Sequence, residues 1–286
     1  MSAPQSGAKP YYFIPQPSHW PVTGSCALLL MAVGAATWFN AYSFGPWLVL
    51  AGFAILVTMM FGWFGRVIDE SEHRVYNKKV DVSFRWGMSW FIFSEVMFFA
   101  AFFGALFYVR NLSVPDLGSP EMKLLWPNFT AMWPTNGPYL RDAFTPMAAI
   151  GIPLVNTIIL VSSGGTLTVA HHALKTGNRG ALKFWLFITI VLGFTFLSLQ
   201  AHEYIHAYSE LNLKLSTGVY GSTFFMLTGF HGFHVTIGAI MLSVMLARIF
   251  RGHFDAEHHF GFEAAAWYWH FVDVVWLLLF VLVYWL

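Results

Sequence analysis

The sequence predicts an all-α integral membrane protein with seven transmembrane helices, and three observations carry that expectation. Only 10% of the 286 residues are charged, against about 25% in a soluble domain. Hydrophobic residues make up 57% of the chain. The apolar residues also gather in seven runs, each near the length of about 20 residues that a helix needs to cross a bilayer. Aromatic residues reach 19%, which suits helices packed in lipid with Trp and Tyr at both interfaces.

The runs lie at 22–39, 46–64, 86–109, 147–170, 182–204, 219–247 and 262–285. The first two form a tight pair, because NAYSFGP (Asn40 to Pro46) leaves room only for a turn. A charged linker of residues 65–85 follows on the inner side, and five spans come after it. A single membrane domain, 1–286, therefore divides into a two-helix arm, 22–64, and a five-helix bundle, 86–286. The longest connection, the outer loop 111–145, is rich in Pro and Gly turn signals. Within it, Ser119 and Pro120 are placed to cap and open a short helix. Met1 is followed by mostly polar residues with Lys9 as the single basic group, so the first run reads as a retained helix and not as a cleaved leader.

Lys and Arg in the connections set orientation. With the N-terminus inside, the inner segments carry Lys9, Arg66, Arg74, Lys78, Lys79, Arg85, Lys175, Arg179, Lys183, Arg248 and Arg251. The outer ones carry only Arg110, Lys123, Arg141 and Lys214. That bias predicts an inside N-terminus and an outside C-terminus. A formal net charge of +1, with no basic cluster, leaves no surface for nucleic acid. Cys26 is the sole cysteine, which excludes an internal disulfide, an iron–sulfur cluster and a two-thiolate metal site.

Polar groups inside spans are costly and so are functional candidates. Glu95 sits mid-span among Phe91, Ile92, Phe98 and Phe99; it is either a proton relay or an acid hydrogen-bonded to an adjacent helix. In GFHGFHVTIG, His231 and His234 lie three residues apart and face one side of the sixth span. They suit interhelical hydrogen bonds, helped by close approach at Gly229, Gly232 and Gly238, and a metal pair is the alternative. In the last span, helical geometry groups Glu263, Trp267 and His270, with Asp273 placed to meet His270. His171, His172, Arg248 and Arg251 end spans at the inner interface, as snorkelling anchors or partners for lipid phosphates.

His202-Glu203-Tyr204-Ile205-His206 matches H-E-x-x-H, the zinc hydrolase pattern in which two imidazoles one helical turn apart hold the metal and the glutamate activates water. The longer form of that pattern fails. Ser209 stands at its Gly position and Asn212 at its last His, and Asp273 is followed by Val274 where an intramembrane metalloprotease would offer Asp-Gly. An intramembrane zinc metalloprotease thus stands as one reading of this motif.

A resemblance carries the analysis further. HHFGFEAAAWYWHFVDVVWLLLFVLVYW (His258 to Trp285) closely resembles subunit III of the haem–copper cytochrome c oxidases. So do VYGSTFFMLTGFHGFHVTIG, LVNTIILVSSG with AHHAL, RWGMSWFIFSEVMFFAAFF and PSHWPVTG, in family order over nearly the whole chain. The family's fifth span carries Q-A-x-E-Y, matched by Gln200, Ala201, Glu203 and Tyr204; the zinc pattern then reads as an overlay on a packing motif. The resemblance implies seven helices arranged as a V, helices 1–2 against helices 3–7, with phospholipid in the cleft and no redox centre, cofactor or metal in this chain.

The implied partners are subunit I, which holds haems and copper with the enzyme's oxygen chemistry, subunit II and small accessory subunits. The implied roles are support of proton uptake and protection of the catalytic subunit. Carried over by motif, Glu95 is the buried glutamate of S-E-V-x-F-F, and Trp63, Glu70, Phe91 and Arg248 are lipid contacts. Glu95, Glu203, His231, His234, Glu263, His270 and Asp273 form the buried polar set. Phe64, Gly65, Arg66 and Asp69 depart from the family pattern on the first arm. The long 111–145 loop favours a bacterial source and hence a bacterial inner membrane. A quinol oxidase subunit III is the alternative within the superfamily, although those members usually lack the first helical pair. A stand-alone proton-coupled transporter using Glu95 and His270 is the alternative outside it.

Overall fold

Proline, glycine and charge decide where the apolar runs become helices. The computed structural model describes residues 13–140 and 143–285. Its long helices are α1 (Trp20–Phe39), α2 (Gly45–Glu72), α3 (Lys78–Tyr108), α4 (Ile152–Lys175), α5 (Arg179–Ser209), α6 (Gly218–Phe250) and α7 (Phe260–Leu279). Among the described residues these seven are long and apolar enough to cross a membrane, and no strand is present. The chain is an all-α membrane protein. Beyond its α-helical part, α3 runs on through a π-helical turn, Val109–Ser113, and α7 through another, Phe280–Trp285.

Helix ends depart from the apolar runs for local reasons. α2 continues eight residues past the apolar run that ends at residue 64, because Arg66 and Glu70 form an i,i+4 pair at 3.2 Å on its surface. With α3 starting at Lys78, most of the 65–85 stretch is helical. α4 starts later than expected, since Gly151 has φ 137° and Pro153 occupies the first turn. The short helix expected after Ser119 is a single 3₁₀ turn, Met122–Leu124. Its N-cap is Glu121 and not Ser119, although Ser119 Oγ still accepts from the Met122 N–H at 3.4 Å, and Pro127 follows closely.

The described residues form two compact units, divided between Phe84 and Arg85 within α3. In the first, α1 and α2 pack on each other from Trp38 at Gly45 to Trp20 at Gly62. The approach is close enough that a Cβ on Gly34 would lie 2.6 Å from the Val49 nitrogen, as small residues allow between membrane helices. Tyr76 closes this unit, edge-on to Phe13 at 5.0 Å and to Phe84 at 4.9 Å.

In the second unit α4 packs on α5, α5 on α6, α6 on α7, and α7 back on α4, which closes a four-helix ring. The last span buries 61% of its most apolar window against 11% in α1, which makes α7 the hub. Trp269, Trp276, Phe196, Phe224 and Phe262 fill the centre and are fully buried. α3 joins through side chains: Phe99 sits 5.0 Å from the His234 ring and 6.0 Å from Phe271.

The α6–α7 connection is held from α5. Arg179 donates to the carbonyls of Phe254 at 3.0 Å, His253 at 2.9 Å and Ile249 at 3.3 Å. Within the loop, Asp255 Oδ1 accepts from the N–H groups of Glu257 at 2.9 Å and His258 at 2.7 Å. Burial alone would raise this carboxyl, but those N–H groups and the His258 ring hold it below the ordinary aspartate range.

Candidate functional site

Glu95 meets His234 across α3 and α6, its Oε2 lying 2.8 Å from His234 Nε2. His234 Nδ1 lies 2.6 Å from the Phe230 carbonyl oxygen. A carbonyl only accepts, so Nδ1 must carry hydrogen. Were Nε2 and Oε2 both bare, two lone pairs would face each other, so one proton lies between them whichever atom owns it. Phe98 and Phe99 cover the imidazole at 5.8 and 5.0 Å, and Tyr268 lies nearly parallel to it at 6.3 Å.

Glu263 and Asp273 of the large unit form separate pairs. Glu263 at the start of α7 forms an ion pair with Arg85, the first residue of this unit, and the Arg85 guanidinium also covers the Phe260 ring at 5.7 Å. Two turns along, His270 Nδ1 lies 3.5 Å from Asp273 Oδ2, and its Nε2 is 3.5 Å from Thr168 on α4. Asp273 is seated where α4 offers no side chain, since a Cβ on Gly164 would fall 2.3 Å from its Oδ2. His231 takes part in neither pair. It is fully buried between Phe196 and Trp276, at ring distances of 5.8 and 5.1 Å.

The H-E-x-x-H segment splits between two environments. His202 is exposed, and His206 pairs with Glu210 at 3.2 Å on the same side of α5. Glu203 is 1% exposed and turned inward, where its Oε1 accepts from the Tyr284 hydroxyl at 2.7 Å. Gln200 Nε2 approaches that same hydroxyl at 3.4 Å. Tyr204 donates to Thr228 Oγ at 2.7 Å, because the Thr228 hydrogen is committed to the Phe224 carbonyl. Among the described residues no three His, Cys, Asp or Glu side chains gather as a metal-holding group.

The four lipid candidates differ in how open they are. Trp63 is 44% and Phe91 47% exposed, and Phe91 stacks on Tyr268 at 6.2 Å. Glu70 has both oxygens engaged, Oε1 by Arg66 at 3.2 Å and Oε2 by the Tyr76 hydroxyl at 2.8 Å. Burial, then the Glu70 hydrogen bond and charge, push the Tyr76 phenol above its ordinary range, so it keeps the proton it donates. Arg248 is 7% exposed, its guanidinium 4.1 Å over the Phe254 ring and its Nε 3.3 Å from His253 Nδ1.

Several partners escaped the sequence reading. Arg85 was legible only as an inner-side positive charge, although it ends on Glu263. Tyr284, Ser163 and Thr157 carried no signal, yet Trp269 Nε1 donates to Ser163 Oγ and Trp276 Nε1 to Thr157 Oγ, each at 2.9 Å. A buried Trp needs such an acceptor, so the two tryptophans themselves were the available clue.

Three of these acids thus tie helices together: Glu95 through His234, Glu263 through Arg85 and Glu203 through Tyr284. The sequence model of the family "Cytochrome c oxidase subunit III" matches residues 9–286. The chain is similar to the protein named cytochrome c oxidase subunit 3 in the rabbit Oryctolagus cuniculus, 44% identical over 275 residues covering 96% of each chain. Those of the dugong Dugong dugon and the coelacanth Latimeria chalumnae match at the same identity and coverage. With a family match over nearly its full length, the chain belongs to the cytochrome c oxidase subunit III family.

Proposed function

We propose that this chain is the non-redox, lipid-binding subunit III of an aerobic respiratory cytochrome c oxidase. It packs on subunit I, meets subunit II and small accessory subunits, and leaves electron transfer to the haems and copper of its partners. It supports proton uptake and preserves the proton-pumping complex during turnover. The observation that carries this reading is the pairing of the in-span acids: Glu95 with His234, Glu263 with Arg85 and Glu203 with Tyr284 each join two helices. Groups consumed in cross-links serve a scaffold. A catalytic centre would gather them around one open point.

Phospholipid is the proposed ligand. Trp63 and Phe91 present exposed rings to acyl chains, while Glu70 and Arg248 stand near helix ends at the depth of the headgroups. The V arrangement, with lipid in its cleft, rests on the family resemblance alone. The 111–145 connection supports a bacterial inner membrane, and the Lys and Arg bias supports a cytoplasmic N-terminus and a periplasmic C-terminus.

Phospholipid retained by the purified complex, counted by mass spectrometry, tests the proposal in Phe91→Ala and Arg248→Ala. Lipid occupancy should fall and activity should decay faster during turnover, with the initial rate of oxygen reduction kept. Unchanged lipid content and unchanged lifetime in both variants refute it.

A further inference from the structure

Four buried side chains of the four-helix ring carry polar atoms that find no partner within the protein. Asn156 on α4 is fully buried, and neither its Oδ1 nor its Nδ2 bonds to any described residue. The same is true of both nitrogens of His231 on α6. On α5, Gln200 Oε1 and Glu203 Oε2 are likewise buried and unpartnered within the protein.

These groups share one neighbourhood. The Trp276 ring lies 5.1 Å from His231, 4.7 Å from Phe196 one turn before Gln200, and 5.9 Å from Tyr284. Its Nε1 is bonded to Thr157, next to Asn156. Tyr284 in turn binds Glu203 and faces Gln200. Thr157 on α4, Gln200 and Glu203 on α5 and His231 on α6 thus all meet Trp276 or Tyr284, and Asn156 is buried one residue before Thr157.

Six unpaired polar atoms in one apolar interior would offset a large share of a folded chain's marginal stability. We infer that this part of the ring encloses ordered water that bridges Asn156, Gln200, Glu203 and His231 and so completes the hydrogen bonding among α4, α5 and α6. The chemistry of the atoms selects water over an ion. The amide of Asn156 and the imidazole of His231 each bring a donor and an acceptor, whereas Gln200 Oε1 accepts. A cation would face N–H groups, and an anion would face the Glu203 carboxyl and the Gln200 oxygen. Water alone satisfies both kinds, and buried sites with several polar partners are where proteins hold it. It is therefore a structural ligand of this subunit, distinct from the proposed phospholipid.

An experimental density map of the purified complex, at a resolution that resolves solvent, tests this directly. A peak within hydrogen-bonding reach of Asn156 and of His231 is expected. Side chains turned onto one another or onto backbone carbonyls, with no peak, overturn the inference. Asn156→Leu, close in volume, gives a second reading in the same complex. It should lower the temperature at which this chain leaves the detergent-solubilised assembly, because the water loses a partner. A higher or unchanged temperature would mean that the amide was never hydrated, and the site would fall.

Discussion

The Tyr284 hydroxyl, two residues from the end of the chain, donates to Glu203 at 2.7 Å across 81 residues of sequence, with both groups buried. The bond fastens the π-helical extension of α7 to the C-terminal part of α5. Removing the donor strands a buried carboxyl oxygen, and such a loss costs about 1–3 kcal/mol. Tyr284→Phe should therefore lower the thermal stability of the chain within its complex by that amount. Glu203→Gln keeps an acceptor for Tyr284 and should cost less. Equal losses in the two variants, measured by thermal unfolding in detergent, would show that the phenol and not the bond matters.

Trp269 is gripped between two glycines. A Cβ on Gly193 would come within 2.6 Å of its Cη2, and one on Gly238 within 2.9 Å of its Cε3. The ring has no room to retreat, because its Nε1 is tied to Ser163 and the residue is fully buried. Overpacking of this kind costs about 1–3 kcal/mol for a small addition. Gly193→Ala should thus weaken the bundle measurably, and Gly193→Val should sharply reduce the yield of complex that retains this chain. Gly87→Ala is the control, since nothing lies within 4 Å of its would-be Cβ.

Much of the fold was legible in the sequence because a bilayer imposes a length and a composition, and seven apolar runs meet both. Their ends were not. Hydropathy falls at Gly65, but Arg66 and Glu70 favour helix regardless of polarity, so α2 passes its apolar limit. Gly151 and Pro153 delay α4 although the residues before them are apolar. The site was legible only by halves. A mid-span Glu95 announces that it needs a partner, yet nothing local says that His234, 139 residues on, supplies it. Glu203 was separable from the zinc pattern by the family motif, whereas Tyr284, which takes it up, carried no mark at all. Such partners are products of packing among α3, α5, α6 and α7, which one-dimensional periodicity does not encode.

Arg179 and Asp255 together shape the connection between α6 and α7. Arg179→Ala removes donors to three carbonyls, and faster protease cleavage within residues 251–259 is the expected result. Asp255→Ala should act in the same direction through the loss of the Glu257 and His258 N–H bonds. Acid should mimic it with a definite sign. The folded carboxyl titrates below its ordinary value of 3.8, so its contribution is complete above that pH and is lost as pH falls through the lowered folded value. Cleavage that rises instead between neutral pH and the ordinary aspartate value would show that the Asp255 carboxylate is not what holds the loop.

The Glu95–His234 pair permits the sharpest test, because its geometry fixes what a substitute must do. His234 Nδ1–H is committed to the Phe230 carbonyl, which leaves Nε2 free to accept a hydrogen. Glutamine at position 95 can donate one through its amide, so Glu95→Gln should preserve the join between α3 and α6. Leucine cannot, and Glu95→Leu should cost about 1–3 kcal/mol by leaving the imidazole unpartnered in an apolar setting. If the pair is a structural cross-link, proton ejection per electron in proteoliposomes stays close to the parent value in Glu95→Gln, and only Glu95→Leu loosens the subunit. If Glu95 instead passes protons during turnover, the amide blocks the path, and pumping fails while stability holds. The two variants therefore separate a helix tie from a relay by inverting which property is lost.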